Sequence, residues 1–529
     1  MAESAENTTA ENTTVDYNSI MSRDEAMFGR RDIYTTYDTI TADNVIYAVN
    51  SALSYHLANY CEEDYLYWRR RGMSPVLVRT KERNAFINNK VVENHPDEIV
   101  NFKDGFMLPS DAFFVARTKG KQAAVNKLNE FMYRAGKHAA NNKVVDWFHT
   151  VGKGVLLIQP HDDPEVPYKI YALDPRSAFV VYSMRPGNEP VMGINMVMVN
   201  GRVHFDVFAR DAVYRLSGGE VGPMMTDIPF EQATAVAIDS VESNLLGEIP
   251  MSEYRYNSVN MGAFEGVLTI CTALDKIASN RLDGIEQFIQ SLIVTYNCEF
   301  DEDVTAEKIR QLGIVPLKST ADSKADIKIL SEELNQSQTQ TLADHLYDQM
   351  LTICMMPSNR KGGASTSDTG AASLYRDGWV QAETCANNCQ DLFKESDKRI
   401  QAIACKILKE KELLDIEPSD IELVFNRTEM ANIQSKAQSL NTLLASGMAP
   451  VLAFAKSGVS NDPGADVKQS EKWLKMIWGD PDKVEEDRAA AAVPGSGMDP
   501  EQQEEVDKGD ATVVEDEKPT DQPEAGDDA

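Results

Sequence analysis

The sequence predicts an α+β protein, mostly helical and divided into several sub-domains. Three observations carry that prediction. Strand-like runs succeed one another between Tyr168 and Leu216 with no helix between them, long stretches of three-four apolar spacing then occupy 262–292, 335–354 and 371–410, and no βαβα alternation of a doubly wound nucleotide-binding sheet occurs. At 529 residues the chain also exceeds what one hydrophobic core organises.

In chain order, residues 1–38 are polar, poor in large apolar side chains, and read as a flexible N-terminal arm. A first helical pattern is predicted from Thr41 to Tyr60, with Ile46, Val49, Leu53, Leu57 and Tyr60 on one face and Thr41 placed to cap it. Between about Tyr67 and Phe114 short strands and turns are expected. A second helical stretch, Ala123 to Thr150, stops at Gly152-Lys153-Gly154. That tripeptide leads from helix into strand, the reverse of a phosphate-binding loop, and reads as a turn. Predicted strands follow at 155–159, 168–173, 178–183, 192–199, 203–209 and 212–216, bounded by Gly, Pro, Asn or Asp, as an antiparallel meander requires.

From Gly262 to Leu292 the apolar positions Phe264, Val267, Leu268, Cys271, Leu274, Ile277, Leu282, Ile285, Phe288 and Leu292 repeat every three or four residues, with Asp275, Asp283 and Glu286 elsewhere. A compact insertion is expected next: a strand at 292–300, a short helix at 305–312, and strands near 314–318 and 326–330. A helix from Asn335 to Cys354 returns with Leu342, Leu346, Met350 and Ile353 on one side. Met356 to Gly370 holds too much Pro, Ser and Gly for a regular element. It opens into the longest predicted helix, Ala371 to Glu410, then a strand at 421–426 and helices at 431–446, 451–457 and 467–477.

The net charge of −31 argues against tight binding of nucleic acid through phosphate neutralisation. Part of that charge is local: 494–529 carries thirteen acids against Lys508 and Lys518, which leaves the remainder near −20. Residues 481–529 therefore read as an acidic disordered tail. Seven cysteines, at 61, 271, 298, 354, 385, 389 and 405, form no CxxC pair, and Cys385 and Cys389 read as small apolar residues on a buried helix face. His161-Asp162-Asp163 sits before Pro164 between two strands and reads as a hairpin turn. No GxxxxGK[ST], no GxSxG and no zinc-ligand spacing is present, so no catalytic residue, cofactor or metal is nominated. No apolar run approaches the ~20 residues that span a bilayer. On these features alone a cytosolic helical scaffold with an acidic docking tail, or an α+β enzyme with a cleft of dispersed residues, also fits.

Specific segments narrow the choice. Asn88-Asn89-Lys90-Val91-Val92-Glu93-Asn94 with Glu98-Ile99-Val100 and Gly105-Phe106, Leu173-Asp-Pro-Arg-Ser-Ala-Phe-Val-Val-Tyr182, and Glu189-Pro-Val-Met-Gly193 resemble the early segment and wing meander of the portal proteins of long-tailed bacteriophages. Leu246-Gly-Glu-Ile-Pro250 and Glu253-Tyr-Arg255, followed by a helix holding Asp275-Lys276, Asn280-Arg281 and Gln287-Phe288, are similar to the start of that family's stem. Ser367-Asp-Thr-Gly-Ala-Ala-Ser-Leu374 resembles its S-G-x-A loop-to-helix junction, with Asp-Thr inserted, and Leu108-Pro109-Ser110 replaces a common Gly-Pro.

The resemblance, which spans about Thr41 to Met476, implies a non-enzymatic, ring-forming portal fold of about twelve subunits at the single capsid vertex, passing double-stranded DNA during packaging, retention and ejection. It implies a wing at 39–260, stem helices at 261–291 and 335–354, a clip at 292–334 and a tunnel loop at 355–370. A long wing helix and strand would occupy 371–426, and a helical crown 427–480. Partners so implied are further copies of the chain, the terminase large subunit, major capsid and scaffolding proteins, and head-completion or adaptor proteins. No membrane is involved. The location implied is the virion, and the host cytoplasm during assembly. In such a ring the stem acids off the apolar stripe face the channel and repel phosphate. Arg360 and Lys361 of the tunnel loop are then the expected DNA contacts.

Overall fold

The computed structural model describes residues 29–82, 85–220, 233–289, 336–358, 378–425, 433–460 and 463–478, with the strands at 292–296, 298–299, 318–319 and 326–330. The chain divides into two compact units, Met1–Lys436 and Ala437–Ala529.

Unit one begins with strand β1 (Ile33–Thr35), then helix α1 (Val45–Arg70), α2 (His95–Met107), β2 (Ala112–Ala116), α3 (Gln122–Arg134) and α4 (Lys137–Val151). Strands β3 (Lys153–Pro160), β4 (Tyr168–Leu173), β5 (Ala178–Ser183), β6 (Pro190–Val199), β7 (Arg202–Ala209), β8 (Ala212–Glu220), β9 (Ala235–Ser243) and β10 (Met251–Arg255) follow. After one 3₁₀ turn, Glu265–Val267, come α5 (Leu268–Ile289), β11 (Leu292–Tyr296), β12 (Cys298–Glu299), β13 (Lys318–Ser319), β14 (Asp326–Leu330), α6 (Gln336–Ile353), α7 (Trp379–Glu410) and β15 (Ile421–Phe425). Helix α8 (Ile433–Ala445) crosses the unit boundary, and α9 (Pro450–Ser457) and α10 (Pro463–Trp478) lie in unit two.

Of the six strands predicted in series, the last four form the antiparallel meander β5-β6-β7-β8, extended by the unpredicted β9 and joined in parallel by β1 at the β5 edge, while β3 and β4 belong to a second sheet. Alternating side chains of β6 and β7, Met192, Ile194 and Met196 against Val203, Phe205 and Val207, bury one face. Val45, Val49, Ala52 and Leu53 of α1 cover it. A second sheet, β10-β3-β4, packs with α3, α4 and α7 around Phe148, Leu156, Tyr254, Phe393 and Ile403. Met251 lies so close to Gly193 that a Cβ there would meet its sulfur at 2.4 Å.

Several expectations need correction. The arm does not extend to Asp38: Arg30 and Ile33 are buried, and 33–35 is a sheet strand. Helix α1 starts at Val45 and runs ten residues past Tyr60. Thr41 does not cap it with its side chain; its backbone N–H donates to Asn44 Oδ1. The region read as strands and turns contains α2, whose first turn has Pro96 where no backbone donor is needed and Asp97 and Glu98 beside the helix dipole. The single stretch 123–150 is two helices broken at Gly136, φ 79°. The expected helix at 305–312 lies outside the described residues.

Glycine decides the crossing where the two sheets meet the start of α5. Gly29, Gly152 and Gly262 stand so close to the backbone of Val259, Asn260 and Thr150 that a Cβ would fall 2.0 to 2.4 Å from a carbonyl oxygen. Gly152 also has φ 89°. Gly152→Ala is expected to cost at least ~4 kcal/mol, read as a large drop in melting temperature or loss of soluble chain. Gly120→Ala, at φ 88° in open space, should cost only about 1 kcal/mol.

Candidate functional site

The place that joins the sheets to the paired helices α5 and α6 is built on buried charge. Arg30, 2% exposed, directs its guanidinium to Glu62 Oε2 at 2.9 Å, Glu265 Oε1 at 2.8 Å and the Val151 carbonyl at 3.2 Å. Its own backbone is held by Asn260, whose carbonyl accepts the Arg30 N–H and whose Nδ2 donates to the Arg30 carbonyl. Burial pushes the Glu265 carboxyl up to about 7, against the opposing pull of Arg30. Beside it, Lys153 is buried between Asp32 (2.8 Å) and Glu253 (3.2 Å), so the lysine of Gly152-Lys153-Gly154 is an internal ion pair at the start of β3.

At the start of α5, Leu268, Cys271 and Leu274, with Phe264 and Val267 just before it, are packed against Tyr65, Leu66, Ile99 and Val100 from the body and Met350 and Leu351 from α6. Leu346 is only partly buried, and Leu342 and Ile353 are about half exposed, so Met350 and Leu351 form the α6 contact face. Further along α5, Leu282 and Ile285 are 44% and 46% exposed.

The acids of α5 were expected to face a channel. They do not. Asp275 and Asp283 are each 3% exposed and grip the segment 74–93 that runs along the helix. Asp275 accepts hydrogen bonds from Ser74 Oγ and the Glu93 N–H (2.9 Å), and Ser279 Oγ accepts from the Val91 N–H (2.9 Å). Asp283 accepts from the Asn89 N–H (2.7 Å) and Asn89 Nδ2 (2.9 Å) and pairs with both Arg79 and Lys81. Glu286 accepts from Asn89 Nδ2 at 2.8 Å. Burial opposes the Asp283 charge, but Lys81, Asn89 and Arg79 outweigh it and hold the carboxyl below its usual value. At Asp275 burial wins and the carboxyl is raised. The portal-like segment Asn88–Asn94 is therefore a clasp on α5, not a strand leading into the sheet.

Arg360 and Lys361 lie outside the described residues. His161-Asp162-Asp163 falls in the connection between β3 and β4, with both aspartates exposed. An open cleft of about 840 Å³ is lined by Arg70, Arg176, Tyr67 and Trp147, and both arginines are engaged, Arg70 with Asp97 and Asp146 and Arg176 with Asp64 and Asp174. Cys389 is buried as expected, but Cys385 is half-buried against Lys103 and Tyr256. The sequence carried no signal for the clasp, because Asp283 and its partners are about 200 residues apart. Among the described residues no helix is long and apolar enough to cross a membrane, and no group of three or more His, Cys, Asp or Glu is placed to hold a metal ion.

These contacts define an α+β body of two sheets to which internal ion pairs fix a pair of helices. The profile described as phage portal protein, SPP1 Gp6-like, matches residues 35–478, and the chain belongs to that family; its function is that of a phage portal protein. No curated protein matches the sequence. Among solved structures, a chain of the neck of an empty GTA particle computed with C6 symmetry is 10% identical, with a TM-score of 0.40 over 69% of this chain and 90% of that chain.

Asp283→Asn leaves Arg79 and Lys81 facing a neutral amide. The cost should be about 2–3 kcal/mol, less than the ~3–5 of a fully buried pair because Lys81 keeps contact with water. The folded pKa of Asp283 lies below its unfolded value of ~3.9. Its contribution is therefore complete above that pH and is lost as pH falls through the lower folded value. Thermal melts of parent and Asp283→Asn should differ at neutral pH and converge in strong acid.

Proposed function

We propose that the chain assembles into a ring of about twelve copies at one capsid vertex and that double-stranded DNA passes through it during packaging, retention and ejection. Membership of the portal family over residues 35–478 carries the reading. The exposed apolar residues of the paired helices support it: Leu282, Ile285 and Leu342 are left about half exposed by the described residues of the subunit. A neighbouring copy can bury them at about 1.5 kcal/mol or more per side chain.

In this reading 39–260 with 371–426 is the wing, 261–291 and 335–354 the stem, 292–334 the clip, 355–370 the tunnel loop and 427–480 the crown. The clip docks the terminase large subunit and later the head-completion or adaptor proteins, while the outer surface meets capsid and scaffolding proteins. The ring acts in the virion and assembles in the host cytoplasm. It is not an enzyme, and the energy of translocation comes from a separate motor.

Leu282→Asp with Leu342→Asp should leave the subunit folded, since both side chains are already 44% or more exposed, but should shift the population from rings to monomers. Native mass measurement and electron microscopy read this directly. A parent chain that is a monodisperse monomer without a pore refutes the ring.

Arg360 and Lys361 are the loop cations that steady the duplex through weak phosphate contacts. Their double alanine variant should form intact rings yet package or retain DNA differently from the parent, most visibly at low salt. Unchanged packaging and retention at every salt concentration refutes the DNA-contact role.

A further inference from the structure

One cluster of reactive side chains has no part in the clasp or in the Arg30 junction. It lies where α7, α2, the segment after β10 and the last turn of α6 meet. Cys385 Sγ on α7 is 3.5 Å from Lys103 Nζ of α2 and 3.6 Å from the Tyr256 hydroxyl. Cys389, one turn further along α7, directs its thiol to the Tyr256 carbonyl at 3.7 Å. Lys103 is 7% exposed, and among the described residues no carboxylate pairs with it. Its ammonium also lies 5.7 Å from the Tyr256 ring centroid. A buried cation without a carboxylate needs another counter-charge, and the sulfur at 3.5 Å is the group in place to supply it.

We propose that Cys385 is held as a thiolate paired with Lys103, and that it is a modification site for small, neutral, soft electrophiles. Small and neutral follow from the setting: the sulfur is half-buried, and its surroundings already contain one balanced charge pair. Cys389 holds the Cys385 thiol down to about 5, and Lys103 and Tyr256 add to the effect while burial opposes it. Cys389 itself is pushed upward by the same pairing and stays protonated, its S–H directed to the Tyr256 carbonyl. The remaining titratable neighbours do not compete. The Cys354 thiol, at the end of α6, is raised by burial to about 12, and burial keeps the His149 imidazole neutral, down to about 3.

The reaction is a displacement. With iodoacetamide the sulfur lone pair forms the S–C bond, the C–I bond breaks, and iodide leaves with the bonding pair. The product sulfur is neutral, so Lys103 loses its counter-charge at the seam between α2 and α7, and modification should lower the melting temperature of the chain.

The test uses the full chain in its assembled form, a limiting dose of iodoacetamide, and peptide mass mapping of all seven cysteines. At about pH 6 an ordinary thiol is almost wholly protonated; after allowance for the lower nucleophilicity of an acidic thiolate, Cys385 should react about tenfold faster than the half-buried Cys61. Lys103→Met should abolish that preference and move the pH–rate midpoint toward that of a free thiol, while Lys103→Arg keeps the preference. Tyr256→Phe, which removes one hydrogen bond and little volume, should slow labelling several-fold at the same pH; it decides the matter where Lys103→Met does not fold. Equal labelling of Cys385 and Cys61 at about pH 6, or an unchanged profile in the Lys103→Met chain, overturns the proposal.

Discussion

Every other part of the body takes its position from the crossing at Arg30. Three stretches distant in sequence, 29–32, 149–153 and 257–265, pass one another at backbone contact distance, which only glycine at 29, 152 and 262 permits. A crossing this tight excludes water, so its polar groups must satisfy one another. Arg30 does part of this through charge, linking α1 through Glu62, the end of α4 through the Val151 carbonyl and the start of α5 through Glu265, while its Nε, Asn260 Oδ1 and Glu265 Oε2 have no hydrogen-bond partner among the described residues. The meander stands on α1, the second sheet continues from α4, and α5 grows from the Glu265 turn. One guanidinium thus indexes all three.

The clasp extends this control along α5. A helix anchored only at its first turn can pivot, because tilting it costs little until contacts further along are broken. Asp275, Ser279 and Asp283 fall at four-residue intervals on one face of α5, and each takes a donor from the segment 74–93. Tyr347 of α6 adds a hydrogen bond to Glu98 of α2. Helix α5 is thus fixed at three successive turns.

The sequence was legible where local pattern decides structure. The strands at 168–173 and 178–183 are correct to the residue, since their β-branched and aromatic runs end at Asp174 and at Met184-Arg185-Pro186. Helix α2 was missed because its apolar residues are few, with Ile99, Val100 and Met107 buried among Asn101, Lys103 and Asp104, and because its proline suggests a turn until it is placed at the first helical positions. The stem acids were misread for a different reason. Spacing shows that Asp275 and Asp283 lie off the apolar stripe, which in an isolated helix means water or a channel; it cannot show that a polar segment 200 residues earlier returns to cover them. Cys385 does pack against the core, as its i, i+4 spacing with Cys389 suggests, but that spacing could not show that it is only half-buried or that a buried lysine of another helix lies beside it.

Helix α5 therefore divides its work along its length. From Leu268 to Leu274 its apolar residues are fully used inside the subunit, against Met350 and the body, and substitutions there act on the fold. At Leu282 and Ile285 the apolar positions continue with the same spacing, but the described part of the subunit leaves them nearly half exposed. The clasp spans the transition: Asp283 is buried beside Leu282, which is exposed. Binding Asp283 internally sets the rotation of the helix, and that rotation determines which way Leu282 and Ile285 point. In the ring proposed above this face would have to be presented at a fixed angle for identical subunits to close, because an error at one interface is repeated at every other. The buried carboxylate is thus the residue that makes the apolar face reproducible.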